Sequence, residues 1–185
     1  MFIQTEDTPN PETLKFLPGE NLLKSGTADF SDADSSKVSP LASRLFEVVG
    51  VRRVFLGSDF ISVTKDSKFD WNSLKPSILT GIMEHFSSGL PVLNDIDNND
   101  TEGFDIEDTE TIKQIKDLLE TRVRPAVAMD GGDITFCSFE DGIVTLKMQG
   151  ACAGCPSSTA TLKMGIENML RHYIPEVTEV RAAEL

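Results

Sequence analysis

Cysteine and histidine are scarce in this chain of 185 residues, which contains three cysteines and two histidines. An odd number of cysteines makes a disulfide framework improbable and favours a reducing compartment. No apolar run approaches the roughly 18 residues that span a bilayer. The N-terminus lacks the basic start and apolar segment of a secretory signal, and the Arg-rich composition of a transit peptide. The sequence therefore predicts neither secretion nor a membrane partner.

Basic residues are also in short supply, because 17 Lys and Arg stand against 30 Asp and Glu and the net charge is −13. The acidity is concentrated in residues 91–110, which contain eight acidic residues and no basic one. The flanking segments 1–90 and 111–185 are close to neutral, at −3 and −2. Neither flank has a surplus of positive charge to meet phosphates, which excludes nucleic acid as a partner.

The acidic segment also contains many turn-forming residues. Like charges and turn formers over residues 91–106 indicate a flexible, solvated linker. Residues 1–90 and 107–185 each mix strand and helix signals. The predicted fold class is therefore α+β, with two small α+β domains, 1–90 and 107–185, joined by the acidic flexible linker 91–106.

The N-terminal domain contains no cysteine. Its apolar patterns predict strands at 14–17, 51–56 and 60–63, the last two joined as a hairpin. Ser39 and Asp70 can each cap a following helix. Pro76 lies within the second helical pattern, so that helix is expected to start later or to kink. His85 is assigned a packing or surface role.

The C-terminal domain carries the chemistry-bearing residues. Its patterns predict a helix capped by Asp108 or Thr109, a hairpin of strands 134–139 and 143–148, a helix after Pro156 and a last strand at 177–180. Cys137 lies within the first hairpin strand, where a free cysteine behaves as a small apolar residue. His172 is expected at a helix end and not as a metal ligand.

Two cysteines, Cys152 and Cys155, are separated by two residues on the loop that precedes the last helix. The small residues Ala151, Ala153 and Gly154 allow this loop to fold tightly, so both sulfur atoms could face one point. A helix N-terminus favours anions and lowers a thiol pKa. The pattern predicts two reactive thiolates on an exposed loop.

A cysteine pair with this spacing is compatible with four uses. A structural zinc site within one chain needs four protein ligands, and no second pair is present. A thioredoxin-like redox pair would also lie between a strand and a helix, although earlier in the fold. The pair could be structural and inert. Finally, two chains could each supply two thiolates to one iron–sulfur cluster, which would explain the isolated pair and requires a dimer.

Longer segments of the chain resemble a known family. The C-terminal half is similar to the C-terminal domain of the nitrogen-fixation U-like (NifU-like) proteins at residues 122–127 (RVRPAV), 130–133 (DGGD), 146–158 (LKMQGACAGCPSS), 166–170 and 173–177. The N-terminal half is similar to the separate N-terminal domain of the mitochondrial and alphaproteobacterial Nfu branch at residues 1–5 (MFIQT), 8–11 (TPNP) and 14–16 (LKF). Both domains stand in the order expected for that branch.

The resemblance implies an iron–sulfur cluster scaffold or carrier, not an enzyme. It makes Cys152 and Cys155 the cluster and metal ligands, with one [4Fe-4S] cluster shared between the two chains of a homodimer. It further implies upstream cluster assembly proteins as donors and apo-proteins such as lipoate synthase or aconitase-like enzymes as acceptors. The N-terminal domain is expected to bind partners or modulate transfer.

Two expectations compete with this one. The first is a thiol–disulfide oxidoreductase that uses Cys152 and Cys155. The second is a pure adaptor whose N-terminal domain docks partners. For localisation, Met1 suggests the bacterial cytoplasm, with the mitochondrial matrix, after removal of a presequence, as the alternative.

Overall fold

The computed structural model describes residues 2–94, 109–154 and 156–183. The chain divides into two compact units, Met1–Asn99 and Asp100–Leu185. Each unit packs helices on a β-sheet, so the predicted α+β fold class is confirmed. No helix in the described ranges is both long and apolar enough to cross a membrane.

The first unit is built on a five-stranded antiparallel sheet. Its strands are β1 (Gln4–Asp7), β2 (Thr13–Leu17), β3 (Ala28–Phe30), β4 (Val51–Leu56) and β5 (Ile61–Lys65), and its helices are α1 (Pro40–Phe46) and α2 (Trp71–Ser88). The strand order is β1-β2-β5-β4-β3, and all neighbouring strands run antiparallel. The predicted hairpin is β4 and β5. The short strands β1 and β3 carried no clear sequence signal.

The core of this unit lies between the sheet and the two helices. Its fully buried side chains include Phe16, Leu41, Leu45, Ile61, Ile78 and Ile82. The hydroxyl of Ser39 accepts a hydrogen bond from the Ala42 amide at 3.0 Å, as a helix cap does. Helix α2 begins at Trp71 and continues through Pro76, because a proline near the start of a helix removes a single backbone hydrogen bond.

The start of the predicted linker packs on the first unit. Ser39 donates a hydrogen bond from its hydroxyl to the Val92 carbonyl at 2.6 Å, and the Asn94 amide donates to the Val38 carbonyl at 2.8 Å. The remainder of the predicted linker, residues 95–106, lies outside the described residues.

The second unit has a three-stranded sheet. Its helices are α3 (Glu110–Leu118), α4 (Arg124–Met129) and α5 (Pro156–Tyr173), and its strands are β6 (Gly132–Glu140), β7 (Ile143–Gly150) and β8 (Glu179–Ala182). Strands β6 and β7 form the predicted antiparallel hairpin, and β8 pairs parallel to β7 after the crossover through α5. This crossover places the cysteine loop between β7 and α5.

The first helical segment of this unit runs further than expected. A π-helical turn, Leu119–Val123, joins α3 to α4, so the chain stays helical past Pro125. The wider turn directly precedes that proline, whose ring nitrogen cannot donate the usual backbone hydrogen bond. The buried face of this segment is formed by Ile115, Leu119, Val123 and Val127.

Candidate functional site

The cysteine loop folds back on itself directly after β7. The Cys152 amide donates to the Gln149 carbonyl at 3.3 Å, and the Ala153 amide donates to the Gly150 carbonyl at 3.1 Å. Gly150 and Gly154 have positive φ values of 61° and 82°, a conformation that glycine adopts without steric cost. The predicted tight loop of small residues is therefore present at Cys152.

Two glycines at the start of β6, Gly131 just before it and Gly132 as its first residue, form the seat of this loop. The Gly131 carbonyl accepts a hydrogen bond from the Ala151 amide at 3.1 Å, and Gly132 pairs with Gly150 across the sheet. A Cβ atom on Gly132 would lie only 2.4 Å from Cys152 Sγ and 2.9 Å from the Gln149 carbonyl oxygen. The sulfur of Cys152 thus occupies the space that any side chain at position 132 would need.

Cys152 is buried, with 6% of its surface exposed. Burial, together with the nearby carboxylates of Asp130 and Asp133, raises the pKa of its thiol to about 12. The prediction of an exposed thiolate with a lowered pKa is therefore wrong for Cys152. Loss of hydration and negative neighbours disfavour the thiolate and outweigh any helix N-terminus.

An ion-pair network lies directly beside the two glycines in the sequence, at Asp133. The Asp133 carboxylate is buried and accepts hydrogen bonds from Arg124 Nε at 2.8 Å, Arg124 Nη2 at 2.9 Å and the Ile134 amide at 2.8 Å. Arg124 also donates from Nη1 to Glu120 at 2.5 Å. These partners raise the pKa of Arg124. The network joins α4 and the π-helical turn before it to the first residues of β6.

The first turns of α5 contribute one further contact. The Thr159 hydroxyl donates to the Cys152 carbonyl at 2.9 Å. Cys155, the second predicted ligand, lies outside the described residues, so the structure locates one sulfur atom of the pair. No group of three or more His, Cys, Asp or Glu side chains that could hold a metal ion occurs among the described residues.

The third cysteine is placed differently from the expectation. Cys137 is exposed, so the predicted packing role is wrong. The register between β6 and β7 shifts between Phe136 and Ser138. Ile134 is buried and Phe136 packs on the core, so regular alternation already directs Cys137 to the opposite, exposed face. The bulge changes the alternation beyond this point, and Phe139 packs on the core as well.

Gly132, Arg124, Asp133 and Thr159 were not singled out as functional by sequence reasoning. The adjacent glycines before a strand were a usable signal, because two glycines in succession often mark a close approach of other atoms. The contact between Thr159 and Cys152 joins residues on two elements and has no separate sequence signal.

These two α+β units, with a glycine-seated cysteine loop in the second, define a two-domain protein of the NifU-like class. Residues 3–89 match the family model described as scaffold protein Nfu/NifU N terminal, and residues 115–181 match the NifU-like domain. The chain belongs to the Nfu family, as the resemblance indicated.

The curated relatives agree with this assignment. The chain is 55% identical over 182 residues to the protein of Drosophila persimilis named NFU1 iron-sulfur cluster scaffold homolog, mitochondrial, and 55% identical over 182 residues to its namesake in Drosophila willistoni. The matches cover 97% of this chain and 64% and 63% of those proteins, so the chain spans just under two thirds of their length.

Among solved structures, a NifU-like protein of Saccharomyces cerevisiae is 30% identical and has a TM-score of 0.47, with 52% of this chain and 87% of that chain covered. The names of the Drosophila relatives place those proteins in mitochondria. That location agrees with the alternative expectation for this chain and gives no support to a bacterial cytoplasm.

Proposed function

We propose that this chain is an iron–sulfur cluster scaffold or carrier that holds a [4Fe-4S] cluster between two protomers through Cys152 and Cys155 of each. The observation that carries the proposal is the glycine-seated loop at Cys152, in a family whose relatives are named as iron–sulfur cluster scaffolds. Thiolates are the ligands that iron–sulfur clusters use, and a loop of small residues leaves room for a bulky cluster beside the backbone.

The number of thiolates argues for a shared cluster. A [4Fe-4S] cluster takes four cysteine ligands, and each chain has two cysteines on this loop, while Cys137 lies exposed at a bulge in β6. Two protomers therefore complete the set. A cluster at a subunit contact can be released by separation of the protomers or by attack of an acceptor's thiolates, so release does not require unfolding of either domain.

The raised pKa of Cys152 makes it a poor attacking thiol for thiol–disulfide exchange and does not prevent cluster binding. Exchange needs a thiolate as the attacking group, and a thiol with a pKa of about 12 is almost fully protonated at neutral pH. A metal displaces the thiol proton when it binds, so protonation in the free protein does not prevent ligation. An oxidoreductase using the same pair is the second candidate, and it would need Cys155 as the attacking thiolate.

The remaining roles follow from the scaffold proposal. The protein would act without turnover chemistry, receive its cluster from upstream assembly proteins, and deliver it to apo-proteins of the lipoate synthase or aconitase kind. The N-terminal domain, residues 1–90, would bind or modulate partners across the linker 91–106, and residues 107–185 would hold the cluster. By similarity to the Drosophila relatives, we place this activity in the mitochondrial matrix.

Anaerobic reconstitution of the full chain with iron and sulfide tests the assignment. Mössbauer spectra of the wild-type protein should show a [4Fe-4S] cluster, and Cys152→Ser and Cys155→Ser should each lose most of it. Cys137→Ser is the matched control and should retain the wild-type yield. Full cluster retention in Cys155→Ser, or a loss in Cys137→Ser equal to that in the other two, would refute the ligand assignment.

Two further measurements separate the candidates. Native mass spectrometry of the reconstituted protein should give a dimer with one cluster, and a cluster-loaded monomer would refute the shared site. The apo-protein should not accelerate insulin reduction by dithiothreitol. Strong acceleration that disappears in Cys152→Ser would instead support the oxidoreductase.

A further inference from the structure

The sulfur of Cys152 is buried against Gly132. Cys152 is 6% exposed, and its Sγ occupies the space over Gly132, where a Cβ would come within 2.4 Å of it. A cluster shared between two chains must be reachable from the surface of each. In the described conformation, the Cys152 sulfur faces Gly132.

Three of the loop's hydrogen bonds among the described residues bear on this position. Two join backbone groups, from the Ala151 amide to the Gly131 carbonyl at 3.1 Å and from the Cys152 amide to the Gln149 carbonyl at 3.3 Å. The third runs from the Thr159 hydroxyl to the Cys152 carbonyl at 2.9 Å. Because Thr159 uses its side chain, a substitution can remove this bond and leave the backbone unchanged.

The Thr159 bond joins the loop to the helix that follows it. Thr159 belongs to α5, whose later residues Ile166 and Leu170 are buried in the core of the second unit. These buried residues anchor the helix. The Thr159 hydroxyl restrains Cys152 through its hydrogen bond to the Cys152 carbonyl. Movement of the loop away from Gly132 would carry the Cys152 sulfur outward, and the Thr159 bond opposes that movement.

We propose that the cluster-free protein keeps Cys152 in a closed loop, latched by Thr159 over Gly132, and that the loop opens before the sulfur can bind a cluster. This inference rests on the proposed function for the identity of the ligand that enters. The closed loop itself is argued from the contacts of Cys152 with Gly132 and Thr159. Thr159 is a positioning residue in this scheme, since it acts on Cys152 and not on iron.

Thiol alkylation of the full chain measures the opening directly. One variant, Cys137→Ser with Cys155→Ser, retains Cys152, and a second, Cys152→Ser with Cys155→Ser, retains Cys137. Iodoacetamide rates are measured without oxygen in native protein and in guanidinium chloride. Cys152 should be protected at least about tenfold relative to its unfolded rate, as expected for a buried thiol that reacts only after opening, and Cys137 only slightly. Equal protection of the two would overturn the proposal.

Substitution of Thr159 provides a second test of the proposal. Thr159→Val removes the hydroxyl with little change in shape and should accelerate Cys152 alkylation roughly 3- to 10-fold, the value of one hydrogen bond. Thr159→Ser keeps a hydroxyl and should restore the slow rate. Thr121→Val is the matched control, because the Thr121 hydroxyl donates to the Asp117 carbonyl at 2.7 Å elsewhere in the same unit. An unchanged rate in Thr159→Val, or the same acceleration in Thr121→Val, would refute the latch.

Cluster uptake connects the latch to function. In the chain with all cysteines present, Thr159→Val should raise the initial rate at which visible absorbance develops during reconstitution. Faster alkylation with an unchanged uptake rate would show that opening does not precede cluster binding. If the wild-type chain binds no cluster but the alkylation pattern holds, the proposed function fails and the closed loop remains.

Discussion

Arg124 donates two hydrogen bonds to the Asp133 carboxylate, from Nε to Oδ1 at 2.8 Å and from Nη2 to Oδ2 at 2.9 Å. The Asp133 side chain is 5% exposed and that of Arg124 is 32% exposed. Asp133 directly follows Gly132, and the sulfur of Cys152 packs against Gly132. The pair therefore fixes the start of β6 at the point where the cysteine loop rests.

Removal of Arg124 should destabilise the second unit. Arg124→Met would leave the buried Asp133 carboxylate without its cationic partner. A cost of about 1–3 kcal/mol is expected, below the full value of a buried pair because Arg124 is partly exposed. Hydrogen exchange of the β6 and β7 amides measures the change. Arg181→Gln, which breaks an exposed pair with Glu179, should cost less than about 0.5 kcal/mol, and equal costs would contradict the expectation.

A side chain at position 132 should disturb the cysteine loop. In Gly132→Ala, the new Cβ would overlap the Cys152 sulfur and the Gln149 carbonyl oxygen. The expected loss is about 1–3 kcal/mol, as for overpacking elsewhere, together with faster alkylation of Cys152. Gly165→Ala is the control, since a Cβ there meets no atom within 4 Å in the middle of α5, and it should stabilise the helix by up to about 1 kcal/mol. A neutral Gly132→Ala would contradict the close contact.

His85 should make the first unit sensitive to acid. The residue is 1% exposed, and neither ring nitrogen has a hydrogen-bond partner among the described residues. Burial lowers the pKa of His85, and the positive charge of Arg44 lowers it further. The folded state therefore binds a proton less readily than the unfolded state, so stability falls as the pH drops below about 6.5.

Substitution of His85 isolates this effect. His85→Leu should flatten the dependence of stability on pH between about 7 and 5, and should raise stability at neutral pH by about 1 kcal/mol, because an unsatisfied buried polar group is removed. The fluorescence of the single tryptophan, Trp71 in α2, reports unfolding of this unit. His172→Gln in the second unit is the control and should leave the pH dependence of the first unit unchanged. An unaltered slope in His85→Leu would contradict the assignment.

A buried ion pair should contribute strongly to the first unit. Asp29 and Arg53 lie on the neighbouring strands β3 and β4, with side chains 7% and 15% exposed, and Arg53 Nε donates to Asp29 at 2.8 Å. Hydrogen bonding to Asp29 raises the pKa of Arg53. Asp29→Asn should cost about 3 kcal/mol, because the arginine stays buried without its counter-charge.

The adjacent exposed pair supplies the comparison. Arg52 and Asp66 are 3.8 Å apart, and the Arg52 side chain is 68% exposed. Arg52→Gln should therefore change stability by less than about 0.5 kcal/mol. Denaturant titrations followed by Trp71 fluorescence measure the free energy of unfolding of both variants. A comparable loss of stability in the two would show that burial does not determine how much the Asp29–Arg53 pair stabilises the unit.

Much of the fold could be predicted from local patterns. The hairpins β4–β5 and β6–β7 and the helix starts at Pro40 and Pro156 follow from turn residues, caps and apolar periodicity, whereas Pro76 left the start of α2 open. Edge strands β1 and β3 were missed because they are short and half-exposed and so carry weak alternation. The π-helical turn before Pro125 was also missed, since periodicity alone treats a proline as a helix end.

The sequence by itself determined the two-domain order, the acidic segment between the domains and the position of Cys152 on a strand-to-helix loop, because these depend on composition and on neighbours along the chain. The tertiary structure decided the state of the cysteines. Strand pairing brings Gly132 against the Cys152 sulfur and removes that sulfur from water, whereas Cys137 lies on the face of β6 opposite buried Ile134 and is exposed. Burial and pKa depend on atoms that are distant in sequence, so only the folded chain could turn the expected exposed thiolate into a protected thiol.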